Sequence, residues 1–305
     1  MSTFGRSRLL DLRADEVGLF LRVFFVLMLT IAGHTLLETA RDTLFLVKLP
    51  PKMLALVYVG VALGMLVVTP LNVRLTRRAG ARNALVVSLI LTSFITVWFR
   101  TRPASSGMVF ALYVFGTLSA TLLIGQFWLL AGTLFSAAQS RRLFGPLASG
   151  GVLGAIAGAG VATLMLDAAP TRTRTLLSVA TAAYFGAALL ATKIQLEDPA
   201  ESPSSTKTPL APELTKLGRD PFLWRLAAIA ALSVAVQTVV DYLYRAKVAG
   251  ALEPSQLGPF FARYQLALNV GSLLLQLTVT SSVVQRVGVL GLALTAPALL
   301  TFGGA

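Results

Sequence analysis

The chain has 305 residues, of which 55% are hydrophobic and 13% charged, and its mean hydropathy is +0.76; an average soluble domain carries about 25% charged residues. A membrane span takes about 20 apolar residues, so nine spans use about 180 positions and leave no room for a sizeable soluble domain. The absence of cysteine and the single histidine, His34, exclude disulfides, thiol catalysis, thiolate metal sites and a zinc centre, and no cofactor is expected.

Lysine and arginine outnumber aspartate and glutamate by 26 to 13. Most of these cations lie in short turns between apolar runs, as membrane topology requires. Nucleic-acid binding needs a contiguous basic face instead, so the lipid bilayer, and not nucleic acid, is the expected environment. The first apolar run, from Val17 to about Leu37, exceeds the 7 to 15 residues or so of a signal-peptide h-region and is read as a retained span.

In chain order, the pattern predicts an all-α, polytopic membrane helical bundle. About nine spans, six plus three, fall near 17–40, 53–73, 83–99, 108–134, 145–167, 174–193, 222–246, 260–281 and 287–305. The turn RLTRRAGAR, Arg74 to Arg82, places four arginines together and predicts a cytoplasmic N-terminus by the positive-inside rule. Residues 194–221 carry five prolines and three serines among charged residues and no apolar periodicity, and read as a cytosolic linker. This divides the chain into a six-helix bundle (1–193), the linker (194–221) and a partial second bundle of about three spans (222–305).

The part after the linker repeats the part before it at an offset of 203. Arg22 then faces Arg225, Thr35 faces Thr238, Glu38 faces Asp241, Pro51 faces Pro254 and Leu54 faces Leu257. Parallel repeats about an axis along the membrane normal mark two-bundle transporters, whose substrate site lies near the midplane between the bundles.

Ionisable groups at membrane depth cost about 2.5–3.5 kcal/mol each on insertion scales. In span one His34, Glu38 and Asp42 share a helix face beside Arg41; in span seven Gln237, Asp241 and Arg245 occupy the corresponding positions. One reading has these faces line a water-filled route, binding substrate or gating it by pairing across it. The other places Arg41, Asp42, Arg245 and Lys247 at the outer interface and pairs Glu38 with a neighbouring arginine. Gln126 and Asn269, with Gln276, add neutral polar groups suited to interhelical hydrogen bonding. Gly150, Gly154 and Gly158 form a small-residue seam for close helix packing.

The segments RDTLFLVKLPP (Arg41 to Pro51), QFWLLAGTLFSAAQSRRLFGPLASGGVLGAIAG (Gln126 to Gly158), VDYLYRAKVAGAL (Val240 to Leu252) and FFARYQLALNVGSLLLQL (Phe260 to Leu277) resemble the bacterial and plastid nucleotide exchange carriers. These are ATP/ADP translocases of the major facilitator type. The resemblance implies two six-helix bundles, residence in a bacterial inner (plasma) membrane, and antiport of ATP for ADP or of a related anionic metabolite. Twelve or so spans would then be needed, and the nine visible here read as a chain truncated in its second half. Gly132, Thr133 and Ser136 stand where the family carries acidic or amide groups.

The expected function is therefore secondary transport of an anionic solute, without covalent chemistry. Arg41, Arg245 and Lys48 or Lys247 would attract phosphate, and Glu38 and Asp241 would hold those cations when the site is empty. The alternative is a non-transporting membrane scaffold or sensor that keeps the facilitator fold. An intramembrane enzyme is not expected, because no nucleophile and base stand at helical spacing. A partner chain is not identifiable from the sequence.

Overall fold

The computed structural model describes residues 13, 16–169, 172–195 and 221–275. The described residues are all-helical: α1 (Val17–Lys48), α2 (Leu54–Thr101), α3 (Ser106–Leu134), α4 (Ala137–Ala168), α5 (Thr175–Thr192), α6 (Pro221–Ala251) and α7 (Pro254–Leu275), with a 3₁₀ turn at Pro51–Met53. Six helical segments, all but α7, are long and apolar enough to cross a membrane. Most of the expected linker (196–220), the ninth expected span at 287–305, Gln276 and residues 1–12, 14–15 and 170–171 lie outside the described residues.

The helix α2 is two arms joined at a kink, not one continuous rod. Gly80 has φ +79, a conformation open to glycine because it lacks a Cβ. The first arm runs alongside α3, with Gly60 facing Val114 and Gly64 facing Leu118. The second arm runs against it, Phe99 meeting Phe115 and Ser88 meeting Gln126. The expected spans 53–73 and 83–99 thus correspond to the two arms of a hairpin that reverses at Gly80.

Helix α1 is the axis of the first bundle and packs against α3, α4, α5 and α7. Its contact with α4 is the closest. A Cβ on Gly154 would run into the Met28 carbonyl, and one on Gly158 would come 2.6 Å from the Ala32 carbonyl. Lipid supplies no hydrophobic drive between helices, so such close backbone approach is what gives their association its van der Waals energy. On the other side of α1, Gly33 lies against Ala180 and the Tyr184 ring.

Three boundaries differ from the sequence expectation, each for a local reason. Helix α1 continues past 40 to Lys48 because Arg41 and Asp42 are buried and paired, and it stops before Pro50 and Pro51, which disfavour helix in the preceding residue. Helix α4 begins at Ala137, well before 145, because Ser136 and Gln139 form a reciprocal capping box. Helix α7 begins at Pro254, ahead of the expected 260, and proline suits a first helical turn.

Arginines staple the helix ends. Arg22 donates to the Lys193 carbonyl at 3.0 Å and Arg82 to the Ile194 carbonyl at 2.9 Å, satisfying the open carbonyls past α5. Arg174 serves the end of α2 in the same way through the Arg100 carbonyl at 2.6 Å. At the start of α1, Glu16 accepts from Gln139 at 2.9 Å and from Arg142 at 2.8 Å.

Two outcomes test this packing. Gly158→Val should lower thermal stability in detergent by about 1–3 kcal/mol, the cost of overpacking, whereas Gly160→Ala, with nothing within 4 Å of an added Cβ, should leave it unchanged or raised; equal stability of both variants would refute the seam. The Gln139 amide, ahead of Arg142, holds the Glu16 carboxyl below its ordinary value. The latch is therefore stabilising above the usual glutamate range near pH 4.3 and is lost as pH falls through the lowered value. Unfolding midpoints followed on acidification should show an increment that Glu16→Gln removes.

Candidate functional site

Helix α1 carries many polar residues, and most of them are satisfied within the helix. Thr30, Thr35, Thr39 and Thr43 donate to the carbonyls four residues back, at 2.7, 3.1, 2.9 and 2.7 Å. What these leave over is a charged group near the C-terminal end: Glu38, Arg41 and Asp42.

Arg41 is shared among several acceptors. It donates to Thr117 of α3 at 2.7 Å, to Asp42 at 3.3 Å and to Glu38 at 3.4 Å, and its guanidinium lies 4.6 Å from the centre of the Tyr113 ring, within cation–π range. Asp42 also pairs with Arg245, which reaches it from α6. Arg245 in turn holds Asp241 through both carboxylate oxygens at 2.9 and 3.0 Å, and Tyr58 of α2 donates to the same carboxylate at 2.7 Å. The two arginines and Asp42 are almost wholly buried; Glu38 and Asp241 stay partly exposed.

These groups border a cavity of about 770 Å³ between the first bundle and α6. Its charged lining is Glu38, Arg41, Asp241 and Arg245, with Gln237 beside them. Beyond the Asp42–Arg245 pair the seam is closed by apolar packing, with Val248, Leu257 and Phe261 clustered against Leu46 and Tyr244. Toward Val234 and Gln237 it is open, and those residues of α6 are exposed or half-exposed. A second cavity, about 610 Å³ near the start of α7, is bordered by Gln256, Phe260 and Arg263 and has only the exposed Arg263–Asp167 pair at 2.8 Å.

The structure brings together Glu38, Arg41, Asp42, Gln237, Asp241 and Arg245, and sets His34 3.7 Å from Glu38. It does not bring in the others. Lys247 and Lys48 are exposed and outside the cavity lining. Asn269 donates to its own helix at the Gln265 carbonyl, 2.7 Å away. Gln126 is buried in the first bundle, donating to Asn72 at 2.6 Å and Ser88 at 2.9 Å, and so ties the two arms of α2 to α3. Arg41, Asp42 and Arg245 are all three buried within the protein. Sequence reasoning missed Tyr58, Tyr113 and Thr117, which read there as part of apolar spans; their hydroxyls and ring become visible only against the charges opposite.

Comparison with protein-family models, with curated proteins and with solved structures returns no match for this chain. The site therefore stands on its own geometry. The described residues are helical, with several helices long and apolar enough to cross a membrane, and Glu38, Arg41, Asp42, Asp241 and Arg245 meet at one seam.

Removing one partner of a buried ion pair costs about 3–5 kcal/mol, because the other charge is left uncompensated. Asp42→Asn and Arg245→Gln should each destabilise the protein to about that degree. The double variant should fall well short of the sum, giving a coupling energy of about 0.5–3 kcal/mol in a double-mutant cycle of detergent unfolding. Strict additivity would show that the pair does not hold α6 to α1.

Proposed function

We propose that the protein is a secondary transporter that works by alternating access, exchanging an anionic solute of the nucleotide type. The observation that carries this reading is the identity of the buried pair. Asp42 and Arg245 are 203 residues apart, the offset at which Glu38 matches Asp241 and Pro51 matches Pro254. A position can touch its own counterpart only where the axis relating two repeats passes between them. On this reading the ion pair lies on that axis, at one end of a cavity lined by residues of both halves, and two-bundle carriers keep their solute site between such halves.

The energetics suit a gate. A buried charge left without its partner costs several kcal/mol unless water or a solute replaces that partner, and the minor conformer of a two-state protein lies within a few kcal/mol of the major one. One such pair is enough to hold an end shut. A solute opens it by binding the open form more tightly by a similar amount.

Packing supports the same reading. The second repeat meets the first through α7 against α4 and α1, and through α6 at the charged seam. An anionic solute entering the cavity meets Arg41 and Arg245 and replaces Glu38 and Asp241 as their partners. Guanidinium groups suit phosphate because they offer paired donors in one plane. The nucleotide cargo and the facilitator architecture come from the resemblance of the four segments quoted above.

Labelled ATP should enter proteoliposomes loaded with ADP and should not enter empty ones. Glu38→Lys and Asp241→Lys should abolish that exchange while the protein still inserts. Unchanged rates in both would sink the site assignment. No uptake, together with no thermal stabilisation by any anion screened, would favour the scaffold or sensor reading.

A further inference from the structure

The charges of the seam do not balance. Among the described residues, three carboxylates, Glu38, Asp42 and Asp241, face two guanidiniums, Arg41 and Arg245. One negative charge is left over in a place where an unpaired charge is costly.

The geometry identifies which carboxylate is in excess. Asp42 lies between both arginines, and Asp241 has a two-pronged contact with Arg245 and a hydroxyl from Tyr58. Glu38 has the longest of the Arg41 contacts, 3.4 Å, His34 at 3.7 Å, which is ion-pair reach but beyond a hydrogen bond, and a neutral hydrogen-bond partner in Gln265 of α7. It is also reachable, its side chain 23% exposed against 3% for Asp42, with His34 at 20% and Asp241 at 34%.

A second observation points to the same spot. The Tyr184 side chain of α5 is fully buried and its hydroxyl has no hydrogen-bond partner, while its electrostatic neighbours are Arg41 and Glu38. The His34 Nδ1 is likewise without a partner. Around Glu38 stand His34, Arg41 and Asp42 of its own helix, Arg245 of α6, Gln265 of α7 and Tyr184 of α5; on α4 the face against α1 is glycine and alanine, and α3 contributes Thr117 and Tyr113 through Arg41.

We propose that Glu38 and His34 form a proton site of the transport cavity, where one proton taken from water discharges the seam and frees Arg41 for the solute. The proton bonds to a Glu38 carboxylate oxygen, directly or by way of His34 Nε2, and the cluster passes from one negative charge to none. Arg41 keeps Asp42 and Thr117 as partners and exposes the donor that Glu38 held. This deepens the transport reading and rests on it for its role: an anion entering a seam already negative by one charge is repelled, and the proton removes that repulsion. Release of the solute returns Arg41 to Glu38, and the proton leaves to water.

The protonation itself needs no solute to be seen. Infrared titration of the full chain in proteoliposomes should show the C=O stretch of a single carboxylic acid appearing as pH falls. Glu38→Gln should remove the band, Asp241→Asn should retain it, and His34→Asn, which keeps the carboxyl, should move its midpoint. No titrating band, or a band indifferent to both Glu38→Gln and His34→Asn, would overturn the proposal. For one coupled proton, each pH unit across the bilayer should shift the steady-state ATP distribution about tenfold. Exchange that ignores the gradient overturns the coupling and leaves the carrier standing; a Glu38 band without ATP uptake upholds the proton site and discards the nucleotide cargo.

Discussion

Everything at the seam depends on one buried ion pair, Asp42 with Arg245. Among the described residues, helix α6 has few other anchors to the first bundle: along most of its length its apolar side chains, Trp224, Ile229 and Leu232 among them, are exposed. What fixes it to the first bundle is Arg245, together with the Tyr58–Asp241 hydrogen bond one turn away and the apolar cluster around Val248 and Phe261. An ion pair removed from water is a poor source of net stability compared with apolar packing. Its strength lies in specificity, because any register of α6 other than this one strands two charges.

The pair needs a rigid side on which to act, and α1 supplies it. Glycines on α4 let its backbone pass within contact of Met28 and Ala32, and Gly33 lets α5 pack against the opposite face. The threonines of α1 satisfy themselves on their own helix, so its polar content adds no competing partners for Arg41 or Asp42. A helix gripped on two faces presents Glu38, Arg41 and Asp42 at fixed positions, and the Tyr113 ring limits where both guanidiniums lie.

Much of the architecture was legible because membrane spans are written in long apolar runs, and because arginine-rich RLTRRAGAR marks a reversal that Gly80 then makes. Glu38, Asp42, Asp241 and Arg245 were legible through cost and repeat offset together. Helix ends were less so: Arg41 and Asp42 look like the edge of a span until their partners are seen, and the Ser136–Gln139 cap is a local pattern inside a polar stretch. Tyr58 and Thr117 were not legible at all. Their side chains fit an apolar helix as readily as a binding site, and only tertiary proximity separates the two roles. Lys247 shows the converse error, since a cation next to a site in sequence points away from it on a helix.

Under the proposed repeat, the two halves differ where symmetry would require them to differ. Glu38 and Asp241 are equivalent and have the same sign, which two off-axis positions can tolerate because each has an arginine of its own, Arg41 at 3.4 Å and Arg245 at 2.9 Å. Asp42 and Arg245 are equivalent and have opposite signs, because two like charges that meet on an axis would repel at contact. The arginine has shifted by one residue between the repeats: at the offset of 203, Arg41 corresponds to Tyr244 and Asp42 to Arg245. That one-residue shift turns a self-contained Arg–Asp neighbour pair within α1 into a bond between helices. It also leaves Glu38 and Asp241 as the two carboxylates facing the cavity, with Glu38 the less firmly held. The asymmetry that closes the seam is thus the same one that leaves it a charge out of balance.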